Sequence, residues 1–258
     1  SKFLKIKQTR EVWLIGENLG EVAQDNGFAF FEYCINNHKK EKIFYVSREN
    51  NKHADNLLPY KPYVLKYNSF KHMIYYHLSN YLIVSHGIRD VIPDVIHNKI
   101  GVNPKDIVYL QHGITAMKKL YFNKNSYNGK IKRFIVTSEH EKSIFVNEMK
   151  FNHSTVVVTG FSRFDKLEDV SQVKKEKEII LMPTWREWIL SSRKNFVESE
   201  FFKHYNEFLF DDELASMLEQ HDLILKFYPH IEIQKKYLDL FETNNPRIKV
   251  VNLQEESV

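Results

Sequence analysis

A doubly wound α/β fold is predicted by three features of the sequence: short apolar runs, their consecutive rather than alternating apolar positions, and the polar, helix-compatible stretches between them. The runs fall at 12–15, 42–46, 81–84, 106–110, 133–136, 154–158, 178–182, 223–227 and 248–253. They are rich in Val, Ile, Leu, Phe and Tyr, residues that fit a pleated, buried surface. A strand with one wet face alternates apolar and polar positions. A run apolar at successive positions suits a strand buried on both faces, hence a parallel sheet covered by helices. Between the fifth and sixth runs, 139–150 predicts a helix, with Ser138 as N-cap and Glu141 at capping-box spacing.

The first six runs complete one domain by about Gly160, and the polar stretch 161–177 leads into a second. Domains are expected at 1–165 and 166–258. Only three runs follow the connection, too few for a second sheet of equal size. The sequence is therefore expected to be a fragment, with its second domain truncated, or that domain is unusually small.

Apolar residues make up 43% of the 258-residue chain and charged residues 27%, values of a globular rather than a disordered protein. No apolar run is long enough to span a bilayer, and nothing resembles a signal peptide. The chain begins with Ser rather than Met, which leaves open a targeting segment ahead of it. The single cysteine, Cys34, reads as a small buried apolar residue in a reducing compartment rather than as a nucleophile. A formal charge of +4 with no dense basic segment argues against nucleic acid as partner. It is compatible with an anionic membrane surface or phosphorylated substrates.

The chemistry gathers where apolar runs end. Of the 8 glycines, Gly16, Gly87, Gly113 and Gly160 follow such runs. Glu17 and Asn18, Ser85 and His86, Gln111 and His112, and Thr159 stand at the same places. In open α/β sheets ligands bind outside the carboxyl ends of the strands. G-x-G-x-x-G and G-x-x-x-x-G-K-[ST] are both missing, which disfavours a nicotinamide enzyme of the usual type and a P-loop NTPase. C-x-x-C and H-E-x-x-H are missing too, so no metal is expected. His112 is the strongest candidate: a neutral imidazole can accept a proton from an alcohol, with Lys118 and Lys119 nearby to hold an anionic substrate. From its chemistry alone it stands equally as a strand-end histidine satisfied by backbone. His86 is a weaker candidate that supports or positions. Met182-Pro183-Thr184-Trp185-Arg186 and Lys226-Phe227-Tyr228-Pro229-His230 end two later runs with groups suited to phosphate and base contacts. Trp185 as core and Arg186 as a surface charge stand as the alternative.

Together, Tyr109-Leu110-Gln111-His112-Gly113, Val158-Thr159-Gly160-Phe161-Ser162-Arg163-Phe164-Asp165 and Pro183-Thr184-Trp185-Arg186 resemble the CDP-glycerol glycerophosphotransferases of the teichoic acid polymerase family. Gly16-Glu17-Asn18 with Asp25-Asn26, and Tyr228-Pro229-His230, are weaker matches. The resemblance implies a GT-B-like pair of Rossmann-like domains with a cleft between them. It implies a catalytic role for His112 and, on the donor side, for His230. The second match is imperfect, because Tyr228 stands where the family has His before Pro. A Thr-Asp-Tyr-Ser-Ser segment of the family is missing and is expected beyond Val258.

The resemblance further implies donor binding by Thr184, Arg186, Gly160 and Arg163, and an acceptor side formed by Glu17, Asn18, His86, Gln111, Gly113 and Lys118. The donor is expected to be CDP-glycerol or CDP-ribitol with no cofactor required. The acceptor is a polyol-phosphate or glycan polymer, lipid-linked, which places the protein in the cytoplasm on the inner face of the membrane. Two other readings stay open: a GT-B glycosyltransferase using a nucleotide sugar, and a non-catalytic module that binds a phosphopolymer.

Overall fold

The structure is a computed structural model that describes residues 10–38, 40–100, 105–116, 122–169, 172 and 177–252. The chain divides into two compact units, Ser1–Leu167 and Glu168–Val258. The first contains β1 (Val12–Gly16), α1 (Asn26–Asn37), β2 (Lys42–Ser47), β3 (Val64–Lys66), α2 (Phe70–Leu78), β4 (Tyr81–Val84), α3 (Asp94–Ile100), β5 (Asp106–Tyr109), β6 (Ile131–Val136), α4 (Glu139–Asn147) and β7 (Val156–Val158). Its sheet has the order β3-β2-β1-β4-β5-β6-β7. Every pairing is parallel.

The consecutive apolar pattern is explained by two cores, one on each face of the sheet. Leu14, Val46, Leu82, Val84, Phe134 and Phe145 belong to one cluster. Ile15, Tyr45 and Ile83 point the other way, against Phe28, Phe31 and Cys34 of α1. Neighbouring residues of a strand alternate between faces, so both must be apolar when both faces are covered. Full burial of Phe31, at 0% exposure, is worth about 2–3 kcal/mol. Cys34 is equally buried, which pushes its thiol pKa up to about 12.

The second unit contains β8 (Lys177–Leu181), α5 (Arg193–Glu198), α6 (Glu200–Leu209), α7 (Asp212–Gln220), β9 (Leu223–Phe227), α8 (Ile231–Tyr237) and β10 (Ile248–Val250). Its parallel sheet has the order β10-β9-β8, the same as the β3-β2-β1 half of the first sheet. Phe196, Leu209, Leu218, Phe227, Ile233 and Phe241 form its core. Ile179 and Ile180 of β8 remain exposed.

Some boundaries differ from the sequence reading. β3 was not expected: its three residues carry too little apolar signal, and it exists by pairing with β2 at the sheet edge. The helix predicted over 139–150 ends at Asn147, and Lys150 adopts a left-handed φ of 61° that turns the chain toward β7. The run 154–158 is strand only over its last three residues. Among the described residues no helix is long and apolar enough to cross a membrane.

Candidate active site

In the first sheet β1 and β4 are neighbours, and the chain winds away from them in opposite directions, through β2 and β3 on one side and β5 to β7 on the other. A crevice opens at such a switch point, outside the carboxyl ends of the strands. Gly16-Glu17-Asn18 leaves β1 there, Ser85-His86-Gly87 leaves β4, and Gln111-His112-Gly113 follows β5.

Two histidines meet at this point. The rings of His86 and His112 stack with centroids 4.3 Å apart and planes 12° from parallel. The Asn18 N–H donates to His86 Nδ1 at 3.1 Å, so the neutral ring carries its proton on Nε2. Burial lowers the His86 pKa, and the adjacent His112 lowers it further, against the opposing pull of Asp90. His112 is exposed, and its Nδ1 lies 3.4 Å from the Ser85 carbonyl, which can only accept. That contact favours the proton on Nδ1 and leaves the Nε2 lone pair available to take another.

Three buried carboxylates organise the loops around this pair. Glu17 is 0% exposed and accepts from the backbone N–H groups of Gln24, Asp25 and Phe28 at 2.8, 2.9 and 3.0 Å. It therefore anchors the start of α1 from within the first unit. Burial raises its pKa although these bonds pull it down. Asp90, also 0% exposed, accepts from Ser85, His86 and Gly87 N–H on one oxygen and from Leu19 N–H, at 2.9 Å, on the other. Glu141 accepts from Gln111 Nε2 and Thr115 N–H on one oxygen, and from the Thr137 N–H and hydroxyl on the other. Each carboxylate ties loops together using groups that would otherwise be unsatisfied donors in a buried setting.

Gln111 is buried in the same way. It is 5% exposed, and its amide donates to the Ile135 carbonyl at 2.8 Å and to Glu141 at 3.1 Å, so it supports the His112 loop from within. Asn26 ties two segments to the start of α1: its Nδ2 donates to the Gln111 carbonyl, its Oδ1 accepts from Arg163 N–H, and its carbonyl accepts from the Ser162 hydroxyl. Arg163, expected on the donor side, is held inside the first unit. It pairs with Asp25 and donates to the His112 carbonyl at 3.1 Å. Gly160 has a left-handed φ of 78° and lines an apolar cavity of about 460 Å³ with Phe30, Leu110 and Ile135. Gly113 has open space around it. Lys118 and Lys119 lie outside the described residues.

In the second unit β8 and β9 pair through Leu181 and Phe227, and Tyr228 N–H donates to the Leu181 carbonyl at 2.9 Å. This brings together the loops that follow both strands. The His230 ring stacks on Trp185 at 5.0 Å, and its Nδ1 accepts from Glu232 N–H at the start of α8. Its neutral form thus presents an Nε2–H donor. Burial lowers the His230 pKa, with a further push from Lys235. Thr184 and Arg186 are exposed, and Arg186 Nη1 donates to the Thr184 and Trp185 carbonyls. Tyr228, at 4% exposure, is core. Among the described residues no group of three or more His, Cys, Asp or Glu side chains is placed to hold a metal ion.

Asp90 belongs to these loops without having stood out in the sequence, and Glu141 does more than cap a helix. The signal available for Asp90 was its place at the end of the stretch Ser85-His86-Gly87-Ile88-Arg89-Asp90.

The family model described as CDP-glycerol:poly(glycerophosphate) glycerophosphotransferase matches residues 2–257. The minor teichoic acid biosynthesis protein GgaB of Bacillus subtilis (strain 168) is 28% identical over 245 residues, which are 89% of this chain and 26% of GgaB. The solved wall teichoic acid polymerase TagF aligns with a TM-score of 0.53 at 14% identity, over 88% of this chain and 58% of that one. A histidine-to-alanine variant of TagF aligns with a TM-score of 0.54 at 14% identity, over 94% and 61%. At these identities the structural likeness establishes the fold. The chain spans about a quarter of the length of GgaB and about three fifths of the TagF chains.

Proposed function

The chain belongs to the CDP-glycerol:poly(glycerophosphate) glycerophosphotransferase family, and from that premise we propose that it transfers glycerol phosphate from CDP-glycerol to a hydroxyl of a cell-wall polymer, releasing CMP. The observation that carries this reading is the disposition of His112: Nδ1 directed at the Ser85 carbonyl, Nε2 left as acceptor, at the switch point of a parallel sheet.

In this mechanism His112 Nε2 takes the proton of the acceptor hydroxyl. The oxygen attacks the phosphorus that bears glycerol, a new P–O bond forms, and the P–O bond to CMP breaks. Such transfer depends mainly on in-line positioning and charge stabilisation. In the second unit, His230 Nε2–H, the Arg186 guanidinium and the Thr184 hydroxyl are the groups we assign to the donor phosphates. Lys118 and Lys119 steer an anionic acceptor. A lipid-linked acceptor and attachment to the inner membrane face belong to the same proposal, supported by the family and by the net charge of +4.

The test is release of CMP from CDP-glycerol by the full-length protein, run beside CDP-ribitol and UDP-sugars. General-base help is worth about 10²–10⁴-fold, so His112→Ala is expected to lower turnover by that order while the fold persists. CMP release by His112→Ala at the unaltered rate defeats the assignment. Preference for CDP-ribitol moves the donor, and UDP release alone turns the reading to a glycosyltransferase.

A further inference from the structure

The loop carrying His112 is an arch whose two feet bond a single carboxylate oxygen. We infer that Glu141 is a positioning residue that holds this arch and thereby fixes the His112 imidazole for proton transfer. The inference rests on the reading of His112 as proton acceptor.

At one foot, Gln111 Nε2 donates to Glu141 Oε1 at 3.1 Å; at the other, Thr115 N–H donates to the same oxygen at 2.8 Å. The Thr115 hydroxyl donates to Gln111 Oε1 at 3.4 Å, which closes the base of the arch. Its crown, His112-Gly113-Ile114, is met from outside by Arg163, which donates to the His112 carbonyl at 3.1 Å, and by the His86 ring stacked on His112; His112 and Ile114 are exposed, and among the described residues nothing lies within 4 Å of where a Gly113 Cβ would stand. The arch is also strained. Gln111 has a left-handed φ of 62°, a conformation that is sterically disfavoured for a residue bearing a side chain. Such strain persists only where surrounding bonds over-determine the backbone.

Glu141 is aimed at the arch in preference to its local option. It is the third residue of α4, and Ser138 Oγ accepts from its N–H at 3.2 Å, which is half of a capping box. The reciprocal half would turn the carboxylate back to the Ser138 N–H. Instead Oε1 takes the arch, while Oε2 takes the Thr137 N–H at 2.7 Å and the Thr137 hydroxyl at 2.9 Å. All four groups reaching the carboxylate donate. An amide presents one oxygen and one NH₂, so Gln at this position would set its NH₂ against either Thr137 or the arch, whichever way it is turned.

The experiment compares Glu141→Gln with Thr137→Val in the full-length protein. Thr137→Val removes one bond to Glu141 on the side away from the arch and leaves both feet attached. Three quantities are read: amide hydrogen exchange over 111–116, kcat and KM for CMP release, and the pH profile of kcat. Glu141→Gln is expected to speed exchange in 111–116 and to lower kcat about tenfold or more, since small displacements of a reacting group carry such penalties. Donor KM and the shape of the pH profile stay as in the unaltered protein, because the proton acceptor itself is unchanged. Thr137→Val should leave kcat within about threefold. Faster arch exchange with unchanged kcat overturns the inference. So does an equal fall in both variants, or exchange that rises throughout the first unit, which would make Glu141 merely structural. An unaltered protein that releases no CMP overturns the proton-acceptor reading itself, and the inference with it.

Discussion

His86 and His112 stack face to face, 4.3 Å between ring centroids, and the Asn18 N–H bond to His86 Nδ1 holds the supporting ring in one orientation. If His86 acts through His112, the two are coupled, and coupled residues give non-additive losses. His86→Ala is expected to lower turnover about tenfold, in the range of misplacement effects. His86→Ala/His112→Ala should then be no slower than His112→Ala alone. A double variant that falls by the product of the two single losses would give His86 an independent role.

Gly16 ends β1 and Gly113 follows β5, yet only one requires the absence of a side chain. A Cβ on Gly16 would stand 2.6 Å from the Asp90 carbonyl oxygen and 2.8 Å from Val91 Cγ1, so backbone must move. Gly16→Ala is expected to destabilise by about 1–3 kcal/mol, as overpacking does. Gly113→Ala meets open space and should stay within about 0.5 kcal/mol of the unaltered protein. Urea unfolding of both variants tests the contrast, and equal losses would contradict it.

Acid should destabilise the first unit partly through His72. This residue is 0% exposed, and its ring bonds the Val91 carbonyl through Nε2 and the Asn68 N–H through Nδ1, an arrangement suited to the neutral form. Burial lowers its pKa from 6.5 to about 4. A group whose folded pKa is depressed takes up its proton first in the unfolded state on acidification. Its contribution is therefore intact above pH 6.5 and is lost as pH falls from there toward about 4, a loss of about 3 kcal/mol. His72→Gln removes the titration, so its stability between pH 7 and pH 4 should decline less than that of the unaltered protein. Parallel declines in urea midpoint would refute the assignment.

Arg163 provides a check on the side of the reaction it serves. Its bonds run to Asp25 and to the His112 carbonyl. Arg163→Lys cannot reproduce a planar, forked donor. It is expected to lower kcat several-fold, by the logic of misplacement, and to leave KM for CDP-glycerol unchanged. A raised donor KM with normal kcat would return Arg163 to the donor phosphates.

Much of the architecture was legible in the sequence because it follows from local pattern. Val12-Trp13-Leu14-Ile15 and Tyr81-Leu82-Ile83-Val84 are apolar at successive positions, which announces strands buried on both faces; Ser138 announces a helix start. β3 escaped because three residues hold no periodicity, and its strand character comes from its neighbour β2. His112 stood out because a polar residue and a glycine interrupt the chain where a strand ends. Its even standing between turn residue and base could not be resolved locally, since the protonation of its ring depends on Ser85, 27 residues earlier in the chain.

The roles of the acidic residues were the part that sequence could not supply. Glu17, Asp90 and Glu141 are ordinary charged residues in a linear reading, where such side chains belong on the surface. In the folded chain each is buried: Glu17 accepts N–H groups from the start of α1, while Asp90 and Glu141 also accept from loops of other strands that the sheet order brings close. The parallel strands, their covering helices and the histidine at a strand end follow from the chain's own periodicity. The stacking of His86 on His112, the bonds of Arg163 and Gln111 to the loop and those of Glu141 to its feet exist only in the folded chain. The physical reason is that a hydrogen bond has a short reach, and its partners become neighbours only after the sheet has formed.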